Sequence, residues 1–338
     1  MAKKIRFGIV GTGKITEWVL AGAAADARFE ATAICSRSEQ RADEFARNHG
    51  IKHIFTSVAE MAASPLIDAI YIATPNITHA PIAIECMEHG KHVLCEKPMA
   101  SNAREAMEMV DCAHRNHVLL MEAMIATANP NFTLLQHLMP KLGTIHRYFA
   151  AYCQYSSRYD KLKEGIVMNA WKPELANGAT MDIGIYTIYP MVALFGEPHS
   201  ISASGILLET GVDGQGSASF TYPGMNAGVI YSKIANSYLQ SEIEGEEANI
   251  VIDKIHSIDS MHFVPRPAPG SGRGPEAEWM QIGHPLCHDR YYYEIKEFID
   301  VLQDSCMESA VNSHYNSITT LKIIDEIRHQ LGVRYPND

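Results

Sequence analysis

Strand follows helix with unusual regularity through about the first 122 residues of this chain. Ile5 to Val10 precedes an amphipathic segment, and Glu30 to Cys35 precedes a helix opened by Ser38. "SVAE", from Ser57 to Glu60, has the pattern of a capping box. The rhythm continues with Asp68 to Ala73, a helix to Gly90, His92 to Cys95, a helix opened by Ser101 and a strand near Val118 to Met121. Repeated βα units in this order predict a doubly wound parallel sheet.

After Asn129 and Pro130 the texture changes. A helix-like "NFTLLQHLM" gives way, between about Thr144 and Val264, to Thr-, Tyr-, Ser- and Ile-rich runs split by Gly, Asn and Asp, the pattern of an antiparallel sheet. The helix-like insert "TMDIGIYTIYPMVALFG" ends at Gly196, with Pro198 beyond it. "RPAPGSGRGPEAE" reads as a loop, and amphipathic helices are expected near Asp289 to Leu302 and Ser313 to Leu331. Two domains fit a length of 338 residues, and 46% hydrophobic residues suffices for a core in each.

Charge narrows the partners. Twenty-eight Lys and Arg against 39 Asp and Glu leave a net charge of −11, which opposes attraction to nucleic acid and to anionic membranes. The apolar run at the start stops at Gly11, too early for a signal peptide, and no segment is expected to span a membrane. Seven scattered cysteines without a C-x-x-C encode neither a disulfide framework nor a zinc site, and fit a cytoplasmic protein. "HPLCHD", His284 to Asp289, lacks a second Cys or His pair and reads as a loop, so no metal is assigned.

Four strand ends carry the candidate cofactor site. In "GIVGTGKIT", Gly11, Thr12, Gly13, Lys14 and Ile15 form the first βα turn, where missing side chains let a pyrophosphate approach a helix N-terminus. The third motif position is Thr16, and a lone G-x-G can serve only to turn the chain. After the second strand, Ser36, Arg37 and Arg41 stand where an NAD site usually has an acid. A hydroxyl and two cations there favour NADP over NAD, although a surface arginine beside a helix cap gives the same pattern. Thr74, Asn76 and His79 follow the fourth strand, and Glu96 and Lys97 the fifth. Pro75 and Pro98 bias Thr74 and Lys97 toward extended backbone, which keeps both polar tips out of the following helices. Taken singly, each has a bland alternative: His79 as a helix-start residue, Glu96 and Lys97 as a pair facing water.

With "IATPNITHAP", "GKHVLCEKPMA" and "ANGATMDIGIY" in the same order, the chain resembles the glucose-fructose oxidoreductase, inositol dehydrogenase and rhizopine-catabolism family over essentially its whole length. The resemblance implies a Rossmann domain, residues 1–122, followed by a substrate-binding and oligomerisation α/β domain, residues 123–338, with a large, mostly antiparallel open sheet. It also implies a nicotinamide cofactor, a sugar, polyol or diol substrate, a homo-oligomer formed through the second sheet, and work for Lys97 in the active site. Many relatives carry D-x-G-x-H; here Asp182, Gly184 and Tyr186 give the D-I-G-x-Y form, similar to glucose-fructose oxidoreductase and to dihydrodiol dehydrogenases acting on NADP. That form points away from the inositol branch.

Oxidising a secondary alcohol requires a hydride acceptor and a base for the hydroxyl proton. A free tyrosine, with a pKa of about 10, is too weakly acidic to serve at neutral pH, but an ammonium within a few ångströms favours the phenolate. Tyr186 beside Lys97 would meet that need, and Asp182, four residues before Tyr186, would orient a substrate hydroxyl or hold Lys97. A structural alternative makes Asp182 a first-turn acid and Tyr186 a core residue. Trp171 fits either a cleft wall or the core, and Pro190 suggests a kink. Two other functions stay open: a non-catalytic nucleotide-binding sensor of the same fold, and a cofactor-assisted glycoside hydrolase.

Overall fold

A computed structural model describes residues 3–267 and 278–338. The first sheet contains β1 (Ile5–Val10), β2 (Phe29–Cys35), β3 (His53–Phe55), β4 (Ala69–Ile72), β5 (His92–Glu96) and β6 (Leu120–Ala123). They lie in the order β3-β2-β1-β4-β5-β6, all parallel, so the order reverses between β1 and β4. Ligands of such sheets gather outside the strand ends at that reversal. β4 and β6 are buried along their whole length, β4 as an apolar run and β6 with the Glu122 carboxyl among its residues.

The helices between these strands are α1 (Lys14–Ala23), α2 (Glu39–His49), α3 (Val58–Ala63), α4 (His79–Glu88) and α5 (Ala103–Asn116). Ser38 caps α2 and Ser57 caps α3, each accepting from the third N–H beyond it, and Gly50 ends α2 with φ +66°. The cap of α5 is Asn102 rather than the expected Ser101. Asn102 Oδ1 accepts from Glu105 N at 2.9 Å, while Ser101 is fully buried.

The second sheet holds β7 (Ile145–Cys153), β8 (Ser200–Leu207), β9 (Asp213–Tyr222), β10 (Met225–Ser232), β11 (Ser241–Gly245), β12 (Ala248–Ile252), β13 (Met261–Pro265) and β14 (Met280–Ile282). The order is β14-β13-β12-β11-β7-β10-β9-β8, and only the β7–β10 pair is parallel. The fold class is therefore the expected α/β, with a Rossmann sheet and a mostly antiparallel second sheet.

Contacts divide the chain into residues 1–128, 287–321 and 337, and residues 129–286, 322–336 and 338. This differs from a single cut after residue 122, because the helix Arg290–Gln303 packs on α1, where Gly22 brings the two backbones together. A Cβ on Gly22 would lie 2.8 Å from Tyr292 N.

The segment Pro173–Phe195 bears on the expectation that no segment spans a membrane. By length and composition it could cross a membrane, yet 72% of its most apolar window is buried within the protein, so it is core. Nor is it one regular helix: two 3-10 turns at Asn169–Trp171 and Pro173–Leu175 precede a π-turn at Thr180–Gly184, and only Ile185–Phe195 is α-helical. The loop expected at "RPAPGSGRGPEAE" falls mostly outside the described residues.

Candidate active site

In the first unit, packing fixes the glycine turn. Gly11 has φ +114°, and a Cβ there would stand 2.3 Å from Ala73 O, so the turn closes against the end of β4 only without a side chain. At Gly13 an added Cβ would meet nothing within 4 Å. Gly13 is also the N-cap of α1, without a side-chain cap, which leaves first-turn N–H groups for an anion in open space. Thr12 and Ile15 are half-buried, Lys14 is exposed, and its Nζ lies 5.5 Å from the Trp18 ring centroid. Thr16 replaces the third glycine for a local reason: fully buried, it donates from Oγ1 to Gly11 O at 3.0 Å and ties the turn to α1.

The residues after β2 remain available to a ligand. Ser36 is half-buried, and Arg37 and Arg41 are exposed, with the Arg41 guanidinium one helical turn beyond Arg37. A pyrophosphate at Gly13 and a further phosphate near the two guanidiniums suit the donors present.

His79 does something else. It is fully buried, with Nε2 2.8 Å from Thr74 O and Nδ1 2.9 Å from Pro98 O, so it joins the turns after β4 and β5. Both ring nitrogens face backbone carbonyls, and the single N–H of a neutral ring is donated to one of them, which makes it a brace for the strand tips rather than a direct cofactor contact. Burial, the largest influence, lowers its pKa. Thr74 takes the Thr78 hydroxyl at 2.8 Å, and half-buried Asn76 opens the 3-10 turn Asn76–Thr78.

Glu96 and Lys97 are not a pair facing water. Glu96 is 8% exposed and accepts from Tyr71 Oη at 2.6 Å and Lys97 N at 3.2 Å. Burial raises its pKa, opposed by Tyr71 and Lys97. On the neighbouring strand, buried Glu122 accepts from Met99 N at 2.8 Å, and burial pushes its pKa up to about 7. Three side chains thus grip consecutive backbone groups: Glu96 the Lys97 N–H, His79 the Pro98 carbonyl, Glu122 the Met99 N–H. The Lys97–Pro98 peptide is cis, and half-buried Lys97 stands at this turn with its charge felt by Glu96, Glu122 and His79. A further buried carboxyl, Glu294, has neither oxygen hydrogen-bonded among the described residues; burial and nearby Glu96 raise its pKa well above the ordinary range.

In the second unit the D-I-G-x-Y segment spans the π-turn and the start of Ile185–Phe195. Asp213, fully buried, accepts from Thr180 N and Oγ1, both at 2.7 Å, and anchors the turn's first residue. Gly184 lies against the Tyr231 ring, 3.2 Å from where a Cβ would stand. Asp182 accepts from Lys233 Nζ at 2.6 Å, a partner unforeseen in the sequence. Tyr186 is half-buried rather than core, edge-on to Tyr152 at 5.8 Å and His256 at 6.2 Å, which stack on each other at 4.3 Å. Trp171 is core: fully buried, it donates from Nε1 to Arg158 O at 3.0 Å and lies 4.7 Å from Lys233 Nζ. Pro190 sits inside the helix and lacks the N–H that would bond the Tyr186 carbonyl.

Lys233, His256, Glu122 and Glu294 belong to no motif. Lys233 alone offered a signal, as the only charge in "VIYSKIAN" at a strand end. Among the described residues no group of three or more His, Cys, Asp or Glu could hold a metal.

An oxidoreductase family with an NAD-binding Rossmann fold matches residues 5–124, and a GFO/IDH/MocA C-terminal domain matches residues 140–251. The scyllo-inositol 2-dehydrogenase (NADP(+)) of Bacillus subtilis is 46% identical, covering 99% of this chain and 99% of its own. A trans-1,2-dihydrobenzene-1,2-diol dehydrogenase of Xenopus tropicalis is 29% identical, covering 98% of this chain and 99% of its own. Levoglucosan dehydrogenase in complex with NADH shares the fold, with a TM-score of 0.85 at 20% identity over 98% of this chain and 100% of that one. Relatives named for an inositol and for a dihydrodiol thus both align over nearly the whole chain.

Proposed function

Because the chain belongs to the oxidoreductase family with a GFO/IDH/MocA C-terminal domain, we propose that it oxidises a secondary alcohol of a cyclic polyol or vicinal diol, an inositol being the first candidate, with NADP preferred. It is an NAD(P)-dependent dehydrogenase acting on CH–OH groups. The preference for NADP is supported by Arg37 and Arg41 beside Ser36, and by the relative named for that cofactor. Bound through the Gly11–Ile15 turn, the nicotinamide supplies the hydride acceptor.

The remaining chemistry falls to side chains. Tyr186 takes the hydroxyl proton on oxidation and returns it on reduction; Lys97 serves the same reaction; Asp182 accepts a hydrogen bond from a neighbouring substrate hydroxyl. The observation that carries this reading is the threefold grip on the Glu96–Met99 turn, since a backbone so constrained fixes the origin of the Lys97 side chain. The test is absorbance at 340 nm with NADP over inositols, aldoses and cyclic diols, with Lys97→Ala alongside. Turnover should appear with a cyclic polyol or diol and fall about 10²- to 10⁴-fold in the variant while NADP binding persists. A variant as fast as the parent removes Lys97 from the chemistry, and sugar release without NADP reduction would favour hydrolysis.

Two broader expectations belong here. A cytoplasmic location is supported by cysteines scattered without a C-x-x-C, four of which, Cys35, Cys86, Cys95 and Cys112, are buried thiols. A homo-oligomer formed through the second sheet is supported by β8, whose Ile206 and Leu207 are 49% and 45% exposed.

A further inference from the structure

We infer that Lys233 is a positioning residue that keeps the Asp182 carboxylate aimed as a hydrogen-bond acceptor, and that the pair selects substrates bearing a hydroxyl beside the reacting carbon. The inference rests on Asp182 serving the substrate, as proposed above, and adds a residue and a selectivity to it.

The two partners differ in exposure. The Lys233 side chain is 4% exposed and that of Asp182 34%, with 2.6 Å between Nζ and Oδ2. The cation is therefore hidden and the anion presented. A buried ammonium is tolerated only with close compensation, and Lys233 has the Asp182 carboxylate, the Trp171 ring at 4.7 Å and, acting through its charge, the buried Asp213 carboxyl. Trp171 is itself fixed by its bond to Arg158 O.

Lys233 cannot wander along the chain either. Its N–H donates to Gly214 O at 2.9 Å, and its carbonyl accepts from Ser156 N at 2.9 Å. The residue after β10 is thus pinned to the start of β9 on one side and to the segment after β7 on the other. Since Asp213 at the start of β9 also anchors Thr180, the π-turn is held at its first residue by one strand and at its third by another.

The chemical consequence follows from the charge. An ionised carboxylate accepts hydrogen bonds and donates none, and an ammonium at contact distance favours that form. Such an acceptor is matched by a substrate O–H and left unpaired by a C–H. Sites of this kind reject the analogue lacking the hydroxyl far more strongly than an apolar pocket rejects an extra methylene.

The experiment compares kcat and KM for a cyclic vicinal polyol and for its analogue lacking the adjacent hydroxyl. Wild type, Lys233→Met, Lys233→Arg, Asp182→Asn and the Lys233→Met/Asp182→Asn double variant are assayed as full chains with NADP. Lys233→Met should lower kcat/KM about 100-fold for the polyol and less than about threefold for the deoxy analogue. Lys233→Arg should recover most of the loss, and Lys233→Met should cost less than about threefold in the Asp182→Asn background. An equal loss on both substrates, or a full additional loss in the double variant, overturns the inference. If Asp182→Asn is silent, the role of Asp182 itself falls. A damaging Asp182→Asn beside a silent Lys233→Met overturns only the part given to Lys233. Circular dichroism and NADP affinity report folding. Should Lys233→Met fail to fold, Lys233→Arg decides: retained selectivity supports the inference, and lost selectivity in a folded protein overturns it.

Discussion

Glu122 illustrates how much a single buried carboxyl can govern. Desolvation dominates its environment and raises its pKa to about 7, against an ordinary value of 4.5. In the folded protein it therefore stays protonated to higher pH than in the unfolded chain, so the folded state binds the extra proton. Its contribution to stability is full below about pH 4.5, declines as pH rises, and is gone above about pH 7, a span of about 3 kcal/mol. Glu122→Gln keeps a carbonyl oxygen for Met99 N–H but cannot ionise. Denaturant titrations between pH 4.5 and 8 should show the variant gaining on wild type by about 1 to 3 kcal/mol as pH rises. Parallel curves for the two proteins would place the ionisation elsewhere. Nothing in "LLMEAMI" announces this role, because a glutamate in a strand-like run reads equally as an edge residue; only the sheet register sets it beside Cys95 and under the Met99 amide.

Elements were far more legible than individual contacts. Apolar runs with period and caps located five of the six parallel strands, the three-residue β3 being too short to show, and the E-K-P corner stood out because charge follows a buried run without a break. The π-turn was not readable: residue spacing around Asp182 and Tyr186 fits an α-helix as well, and the wider turn depends on Asp213 and Lys233 arriving from distant strands. His79 shows the same limit, since a histidine at the start of α4 looks identical whether it faces a ligand or two carbonyls. The β2–α2 junction supports a sharper prediction. With Ser38 capping α2, Arg37 lies just before the cap and Arg41 one turn in, so both can approach one phosphate. Arg37→Ala should weaken NADP about 10- to 100-fold and NAD less than about threefold, measured by fluorescence titration of each cofactor. Equal weakening of both would remove Arg37 from phosphate recognition.

At the scale of the whole molecule, the second sheet raises the question of assembly. β8 is an edge strand, largely exposed, with Ala203 N and Ile201 O on its outer side bonded to the Gln330 side chain and apolar Ile206 and Leu207 beyond them near its end. Such an edge invites another copy unless it is covered. Light scattering should give a multiple of 37.4 kDa, and Ile206→Glu with Leu207→Glu should reduce it to the monomer mass while NADP affinity is kept. A wild-type mass of one chain would leave this edge without a partner.

The return of Arg290–Gln303 to α1 also matters for biosynthesis. Gly22 waits for Tyr291, and the buried pair of Tyr71 and Glu96 belongs to a unit that is not finished until residues past 287 have left the ribosome. A nascent chain halted after β6 would hold the glycine turn and the strand tips without the helix that packs on α1, so the core of the first unit closes only late in synthesis.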